Sequence, residues 1–513
     1  MSTADMAARA IWEWLCLAGA EDLGGSRTPH SGSRRLAAAE SGWLGWGGLL
    51  VLAVTAWRLY ALWVSDIDLF FDEAQYWYWA QDPDFGYFSK PPLLAWLIAG
   101  STALFGDSEF GIRALSPLCY GVTAAFGGGI AYRLYSAHAA QWTAAMLVLL
   151  PGVSVSATIV STDVPLLLCW SAALYCWVRY AQEGGLWWIG LGAALGLGLL
   201  AKYAMSYLVV GLAATALMAP SYRQVFCRGG FWAALLLAVL LFAPNIWWNY
   251  ANDFVSFGHT ADNANWTAAN LKPHKMAEFV GAQFGLFGPV LMIAFIWALV
   301  RWRRLTEAGR LLAAFALPVL ALMIVQSFIS RAHANWAAVA YISATVLVTG
   351  WLLRIRLEGW LKVSLVLHLA VAAAVLHGAS LAPLTGTDPW HRQRGWTEMA
   401  AEVRNLLDAH PDAVLLAGDR KIAASMMYYV RPHPWDMVKW NPDGRIDGHY
   451  ELVSSHDELA GRPAILLSRT ADSKGMSERF GQVERLGTVS RARPTRPPEI
   501  YHAFLLRDYR GRE

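Results

Sequence analysis

Apolar runs of about 18 residues or more recur along the first three-quarters of this 513-residue chain, each long enough to cross a bilayer. That is the pattern of a polytopic α-helical membrane protein. Only 15% of the residues are charged and 56% are hydrophobic, with 27 Trp, whereas a soluble chain carries about a quarter charged. Candidate spans fall at about 43–64, 114–135, 141–161, 164–181, 186–201, 203–220, 231–248, 279–300, 311–329, 335–353 and 360–379, so about eleven. Leu93–Phe105 is apolar but about 13 residues long, which suits a helix that lies in the interface or re-enters the membrane.

Placement of charge sets the expected orientation. Arg34/Arg35, Arg133, Arg179, Arg223/Arg228, Arg301/Arg303/Arg304 and Arg354/Arg356 fall at alternate ends of the spans, and the positive-inside rule makes those ends cytoplasmic. The opposite ends hold Asp72/Glu73, Lys90, Ser161-Thr162-Asp163, Lys202, the polar 249–278 stretch and Ser330–Trp336. Every unusual polar motif is thus expected on the outer side.

The domain organisation follows. Residues 1–41, rich in Ala, Gly and Ser, read as a disordered cytoplasmic tail, since Arg34 and Arg35 follow rather than precede the short apolar segment. Residues 42–384 read as the transmembrane domain, with a first periplasmic loop at 65–112 and another at 249–278. Residues 385–513 read as a small periplasmic α/β domain, with helices over 396–409 and 422–429 and strands over 413–417, 464–468 and 501–506. The five cysteines (Cys16, Cys119, Cys169, Cys176 and Cys227) show no CxxC pairing and no metal-ligand spacing with histidine.

The stretch FDEAQYWYWAQDPDFGYFSKPP, residues 71–92, carries the chemistry. If 72–81 is helical, Asp72, Tyr76 and Trp79 share one face and Glu73, Trp77 and Ala80 the next. The two carboxylates then point about 100° apart and have different partners. One can face a substrate while the other anchors the helix. The plainer readings are a helix cap for the acids and an interfacial belt for the aromatics. Lys90 is held extended by Pro91, and Pro92 can open the next helix. A cation beside a helix N-terminus suits a phosphate, although a snorkelling lysine fits the charge equally well.

Asp163, before Val164-Pro165, is a candidate ligand or a cap. Lys202 interrupts an apolar stretch of about thirty residues, where an ionisable group needs a partner or a ligand. Arg331 and His333 add two donors. Together these groups suit transfer from a lipid-linked phosphate: a carboxylate takes a proton from an acceptor hydroxyl and cations neutralise the leaving phosphate. No activated serine or cysteine is visible, which argues against a covalent intermediate. The competing readings are a transporter or flippase of a lipid-linked substrate and an assembly protein. Transporters place their charges mid-membrane, often in repeated halves, and neither feature is evident here. No metal, cofactor or nucleic-acid partner is expected; membrane lipids are.

The motifs Phe71-Asp-Glu-Ala-Gln-Tyr-Trp77, Gly86-Tyr-Phe-Ser-Lys-Pro-Pro92, Thr162-Asp-Val-Pro165, Ala201-Lys-Tyr203 and Ala334-Asn-Trp336, in this order, resemble the bacterial relatives of the protein O-mannosyltransferases. These are GT-C glycosyltransferases that use polyprenyl-phosphate sugars, a superfamily that includes the aminoarabinose transferase acting on lipid A. The resemblance covers about residues 45–350. It implies a GT-C fold and an inverting, metal-independent transfer at the periplasmic face of the bacterial inner membrane, from a sugar on undecaprenyl phosphate or a similar lipid. It implies that Asp72 is the base, that Glu73 supports it and that Lys90 meets the donor phosphate. Asp163, Lys202, Arg331, His333, Tyr76 and Tyr87 are further donor-binding candidates. Ser89 stands where the aminoarabinose branch commonly has Glu, and nothing matches the large luminal insert of the eukaryotic enzymes. The acceptor stays open between lipid A or core sugar, another glycan, a lipid and a protein.

Overall fold

The structure, a computed structural model, describes residues 45–266, 271–472 and 474–511. The tail expected over 1–41 lies outside the described residues. Among those described, six helices are long and apolar enough to cross a membrane: Trp46–Trp63, Glu109–Leu134, Asp163–Glu183, Gly229–Ala251, Glu307–Ile329 and Glu358–Ala382. Trp187–Ala201, Tyr203–Met218 and Ala340–Arg354 are apolar but shorter.

Two of the expected spans are broken. In place of a single span over 279–300, Pro273–Phe287 and Pro289–Val300 meet at 110°. The break sits at Gly288, with φ +87°, where a Cβ would stand 2.0 Å from His368 Nε2, and Pro289 has no N–H with which to continue the first helix. The stretch 141–161 is likewise divided into Ala137–Leu149 and Pro151–Ser156. The Leu93–Phe105 helix has the bounds expected of it; at 1.5 Å per residue it reaches only about 20 Å of a core about 30 Å thick. Residues 249–278, expected as a polar loop, include the helix Val255–Ala264.

The chain forms two compact units. The first takes in the described residues up to Ala61, with Ser116–Phe254 and Thr260–Val375. It is built from the apolar helices. Ala340–Arg354 is buried at every position from Ala340 to Leu352, as expected of a helix that is apolar all round.

The second unit takes in Leu62–Leu115, Val255–His259 and Leu376–Glu513. Its centre is a five-stranded sheet of β1 (Val414–Ala417), β2 (Val438–Lys439), β3 (Ala464–Ser468), β4 (Phe480–Arg491) and β5 (Glu499–Tyr509), in the order β2-β1-β3-β5-β4. β1 pairs in parallel with β2 and β3, while β5 is antiparallel to β3 and to β4. Every residue of β1 is buried, so this strand is covered on both faces, as parallel strands are. One face holds a cluster of Val414, Leu416, Leu466, Phe480, Phe504 and neighbours. The helices Trp396–Ala409 and Arg420–Tyr429 pack beside the sheet and on each other.

This unit also contains the first-loop helix Phe71–Gln81, and that helix packs on Arg420–Tyr429. Trp77 and Trp79 of the motif are buried, and therefore pack inside the protein rather than form an interfacial belt. Trp77 meets Tyr428 edge-on at 4.9 Å, and Tyr78 stacks on Tyr450 at 5.3 Å. Asp68 accepts from the N–H of Trp396 (2.8 Å) and the hydroxyl of Thr397 (2.7 Å). It thereby caps a helix whose own N-cap, Gly395, has no side chain. Gly395 has φ +81°, and a Cβ there would stand 2.2 Å from the Ala492 carbonyl oxygen. Burial raises the Asp68 carboxyl above its ordinary range despite these bonds.

Candidate active site

Asp72 and Glu73 occupy the second and third positions of the Phe71–Gln81 helix, and they have different partners, as an offset of about 100° requires. Glu73 is 1% exposed. Arg113 donates Nε to its Oε1 (3.0 Å) and Nη2 to its Oε2 (2.8 Å). The Phe70 N–H also donates to Oε2, at 2.8 Å. This reach back to the N-cap is the acidic half of a capping box. Arg113 spends its remaining capacity on the carbonyls of Ile67 and Asp68, both at 2.7 Å. Glu73 is thus an anchor, and its guanidinium partner ties down the chain that leads into the helix.

Asp72 is partly exposed. Its Oδ1 accepts from Arg420 Nη2, and among the described residues nothing bonds to Oδ2. Arg420 Nε also donates to Gln75 Oε1 at 2.6 Å, so one guanidinium bridges two acceptors on the same helix face. Arg420 and Lys421 lie over the Phe71 ring at 5.2 and 5.3 Å, and Arg392 over that of Phe70 at 4.9 Å. The geometry leaves one carboxylate oxygen open beside a fixed cation. A group so placed can take a proton from a hydroxyl at hydrogen-bond distance.

Lys90 is half-buried and pairs with Tyr87 through an isolated bridge, with N···O distances of 3.1 and 3.3 Å. Tyr87 is fixed in turn. Its ring stacks on Trp79 at 4.6 Å, and its hydroxyl donates to the Trp79 carbonyl (2.9 Å) and accepts from the Asp84 N–H (3.1 Å). Burial pushes its phenol up to about 12. The Tyr87 carbonyl also accepts from the Ser256 hydroxyl (2.6 Å). Tyr76 is buried, with its ring 5.2 Å from that of Trp79. The bend that presents Lys90 is therefore rigid, and Pro92 stands at the N-cap of Leu93–Phe105.

The other candidates belong to the first unit. Asp163 opens the Asp163–Glu183 helix. Lys202 Nζ lies 2.6 Å from its Oδ1, and Asn335 Nδ2 donates to its Oδ2 at 2.6 Å. Lys202 thus has the partner that its apolar surroundings demand. Arg331 is exposed. Partial burial, with the cations Arg331 and Lys202 nearby, holds the His333 imidazole below its ordinary value; its ring meets Trp336 edge-on at 5.4 Å.

The sequence reading passed over Arg113, Gln75, Arg420 and Asn335. Arg113 carried a signal, because it is a cation at a span end that the charge rule assigns to the outside. Asn335 lay inside a quoted motif but carries no charge. Arg420 had no local signal at all.

Comparison with known proteins bears on the chain as a whole. Residues 89–248 match the family described as dolichyl-phosphate-mannose-protein mannosyltransferase. A lipid A galacturonosyltransferase, RgtD, of Rhizobium johnstonii is 33% identical over 417 residues, which cover 79% of this chain and 87% of that protein. An undecaprenyl phosphate-alpha-4-amino-4-deoxy-L-arabinose arabinosyl transferase of Pseudomonas fluorescens is 29% identical over 31% of this chain and 30% of its own. In fold, the chain is similar to ArnT from Cupriavidus metallidurans, with a TM-score of 0.61 at 15% identity over 91% of this chain and 98% of that one. The chain belongs to the GT-C glycosyltransferases of the protein O-mannosyltransferase and aminoarabinose transferase superfamily, membrane enzymes that use a lipid-linked sugar donor.

Proposed function

We propose that this enzyme moves a sugar from undecaprenyl phosphate, or a similar polyprenyl phosphate, to a hydroxyl of a lipid A-type acceptor at the periplasmic face of the bacterial inner membrane. The donor and acceptor classes are those in the names of the two relatives above. The alternation of Arg133, Arg179, Arg223/Arg228 and Arg301 with the polar motifs supports the orientation. The observation that carries the assignment is the division of labour between adjacent carboxylates: Glu73 is filled by Arg113 and Phe70, and Asp72 keeps Oδ2 open.

In this reading Asp72 takes the proton of the acceptor hydroxyl as its oxygen attacks the sugar C1. The bond from C1 to the phosphate oxygen breaks, its electron pair leaves with the polyprenyl phosphate, and the anomeric centre inverts. Lys90, held by Tyr87 at a helix start, is assigned to that phosphate, and Tyr76 to the donor sugar. Asp163, Lys202, Arg331 and His333 are assigned to the donor on their motifs. The test is mass spectrometry of envelope glycolipids from cells without the protein, with it, and with Asp72→Asn at matched membrane levels. One sugar-sized mass increment should appear only with the unaltered protein. An unchanged increment with Asp72→Asn would remove Asp72 as the base.

A further inference from the structure

The proposed chemistry gives no role to the chain beyond Leu376, yet among the described residues the cation bonded to Asp72, Arg420, comes from there. Arg420 is the first residue of the Arg420–Tyr429 helix. The start of that helix is held firmly. Asp419 Oδ1 accepts from the N–H groups of Lys421 (2.8 Å) and Ile422 (3.0 Å), and Arg469 Nε donates to Asp419 Oδ2 (2.6 Å). Its far end is tied to the same first-loop segment, where the Leu69 N–H donates to the Tyr429 hydroxyl at 2.5 Å. Between these ties the Arg420 guanidinium reaches Asp72 Oδ1 and Gln75 Oε1, three residues apart on one helix face. Gln75 is only 2% exposed, so its amide is a fixed second anchor.

We infer that Arg420 is a positioning residue for the glycosyl transfer: with Gln75 it holds the Asp72 carboxylate in one plane and turns Oδ2 toward the acceptor hydroxyl. The inference rests on the reading of Asp72 as the base. The planar fork matters more than the charge, because an ammonium cannot bridge two acceptors in fixed directions. The Arg420 side chain is about half exposed. The pair therefore adds little to stability, and its value lies in geometry, where a displacement of about 1 Å costs up to about 100-fold in rate.

The experiment uses the full-length chain in isolated membranes that carry their own donor, with lipid A as the added acceptor and product counted by mass spectrometry. Arg420→Ala should lower the rate about 10- to 100-fold, with the thermal midpoint unchanged. Guanidinium chloride at tens of millimolar should restore part of that rate. Arg420→Lys should fall between the two, and guanidinium should leave Asp72→Asn inactive. An Asp72→Asn enzyme that still transfers overturns the base assignment itself. An inactive Asp72→Asn beside a fully active Arg420→Ala overturns only the positioning role. A rate lost in both Arg420 variants together with the thermal midpoint, and not recovered by guanidinium, makes Arg420 structural and also overturns the inference.

Discussion

Asp72 and Asp163 each stand in the first turn of a helix beside a cation, yet of the two only Asp72 keeps one carboxylate oxygen open among the described residues. Asp163 has Lys202 on one oxygen and Asn335 on the other, both at 2.6 Å, and its side chain is 10% exposed. Asp72 has Arg420 on one oxygen, and its side chain is 33% exposed. Glu73, next door, resembles Asp163 rather than Asp72. A carboxylate with both oxygens filled inside a low-dielectric surround is held by its partners, and removing one of them leaves a buried charge uncompensated. A carboxylate with one oxygen fixed and one open keeps its direction and still accepts a proton. The contrast separates carboxylates whose two oxygens are both filled from the one that, on the proposed reading, serves as the base.

The contrast breaks most visibly at Glu73. Arg113→Ala strips two bonds from a carboxylate that is 1% exposed and frees the Ile67 and Asp68 carbonyls. It should cost about 3–5 kcal/mol of stability, seen as a large fall in the thermal midpoint and in membrane yield. Asp72→Asn should shift that midpoint by less than the equivalent of about 1 kcal/mol while abolishing transfer. If both variants lose stability alike, the distinction between anchor and base fails. A smaller effect is expected at Asp163. Lys202→Met alone should cost about 1–3 kcal/mol by leaving the carboxylate with one neutral partner. The added change Asp163→Asn should recover part of that loss. Strict additivity of the two would mean that the pair is not coupled.

Much of this was legible in the sequence, and what escaped has a physical cause. The Phe71–Gln81 helix was readable from its acids and aromatics, and the separate partners of Asp72 and Glu73 followed from helical geometry alone. The interfacial-belt reading of Trp77 and Trp79 failed because a belt and a packed seam have the same composition, and only the partners Tyr428, Trp435 and His449 distinguish them. Arg420 lies 348 residues from Asp72. No periodicity or spacing connects residues so far apart, so the pairing is a property of the tertiary fold. The breaks at Gly288 and Leu150 were missed for a related reason. Hydropathy averages over a window and does not register where the backbone turns.

A drop in pH should distinguish the two stations most gently. His449 is buried beside Trp79 (5.3 Å) and Tyr87 (5.7 Å), in the seam that supports the Asp72 helix, and among the described residues its Nδ1 has no partner. Burial lowers its imidazole to about 3, because a charge there would lose its hydration without a compensating bond. The unfolded chain takes up that proton near 6.5. A depressed histidine therefore stabilises the fold fully above about pH 6.5, and the contribution is lost as the pH falls toward about 3, by about 1.4 kcal/mol per unit. Hydrogen exchange, corrected for its intrinsic pH dependence, should show peptides from 72–88 and 438–453 opening on acidification before those from Asp163–Glu183. His449→Phe keeps an aromatic ring that does not titrate, and should reduce the dependence between about pH 6.5 and 5.5, above the ordinary carboxylate range; His433, which packs on Trp77 at 4.8 Å and is also lowered by burial, keeps its own share. Equal sensitivity in the wild type and in His449→Phe would place the acid response elsewhere. The neutrality of His449 would then contribute nothing to the seam.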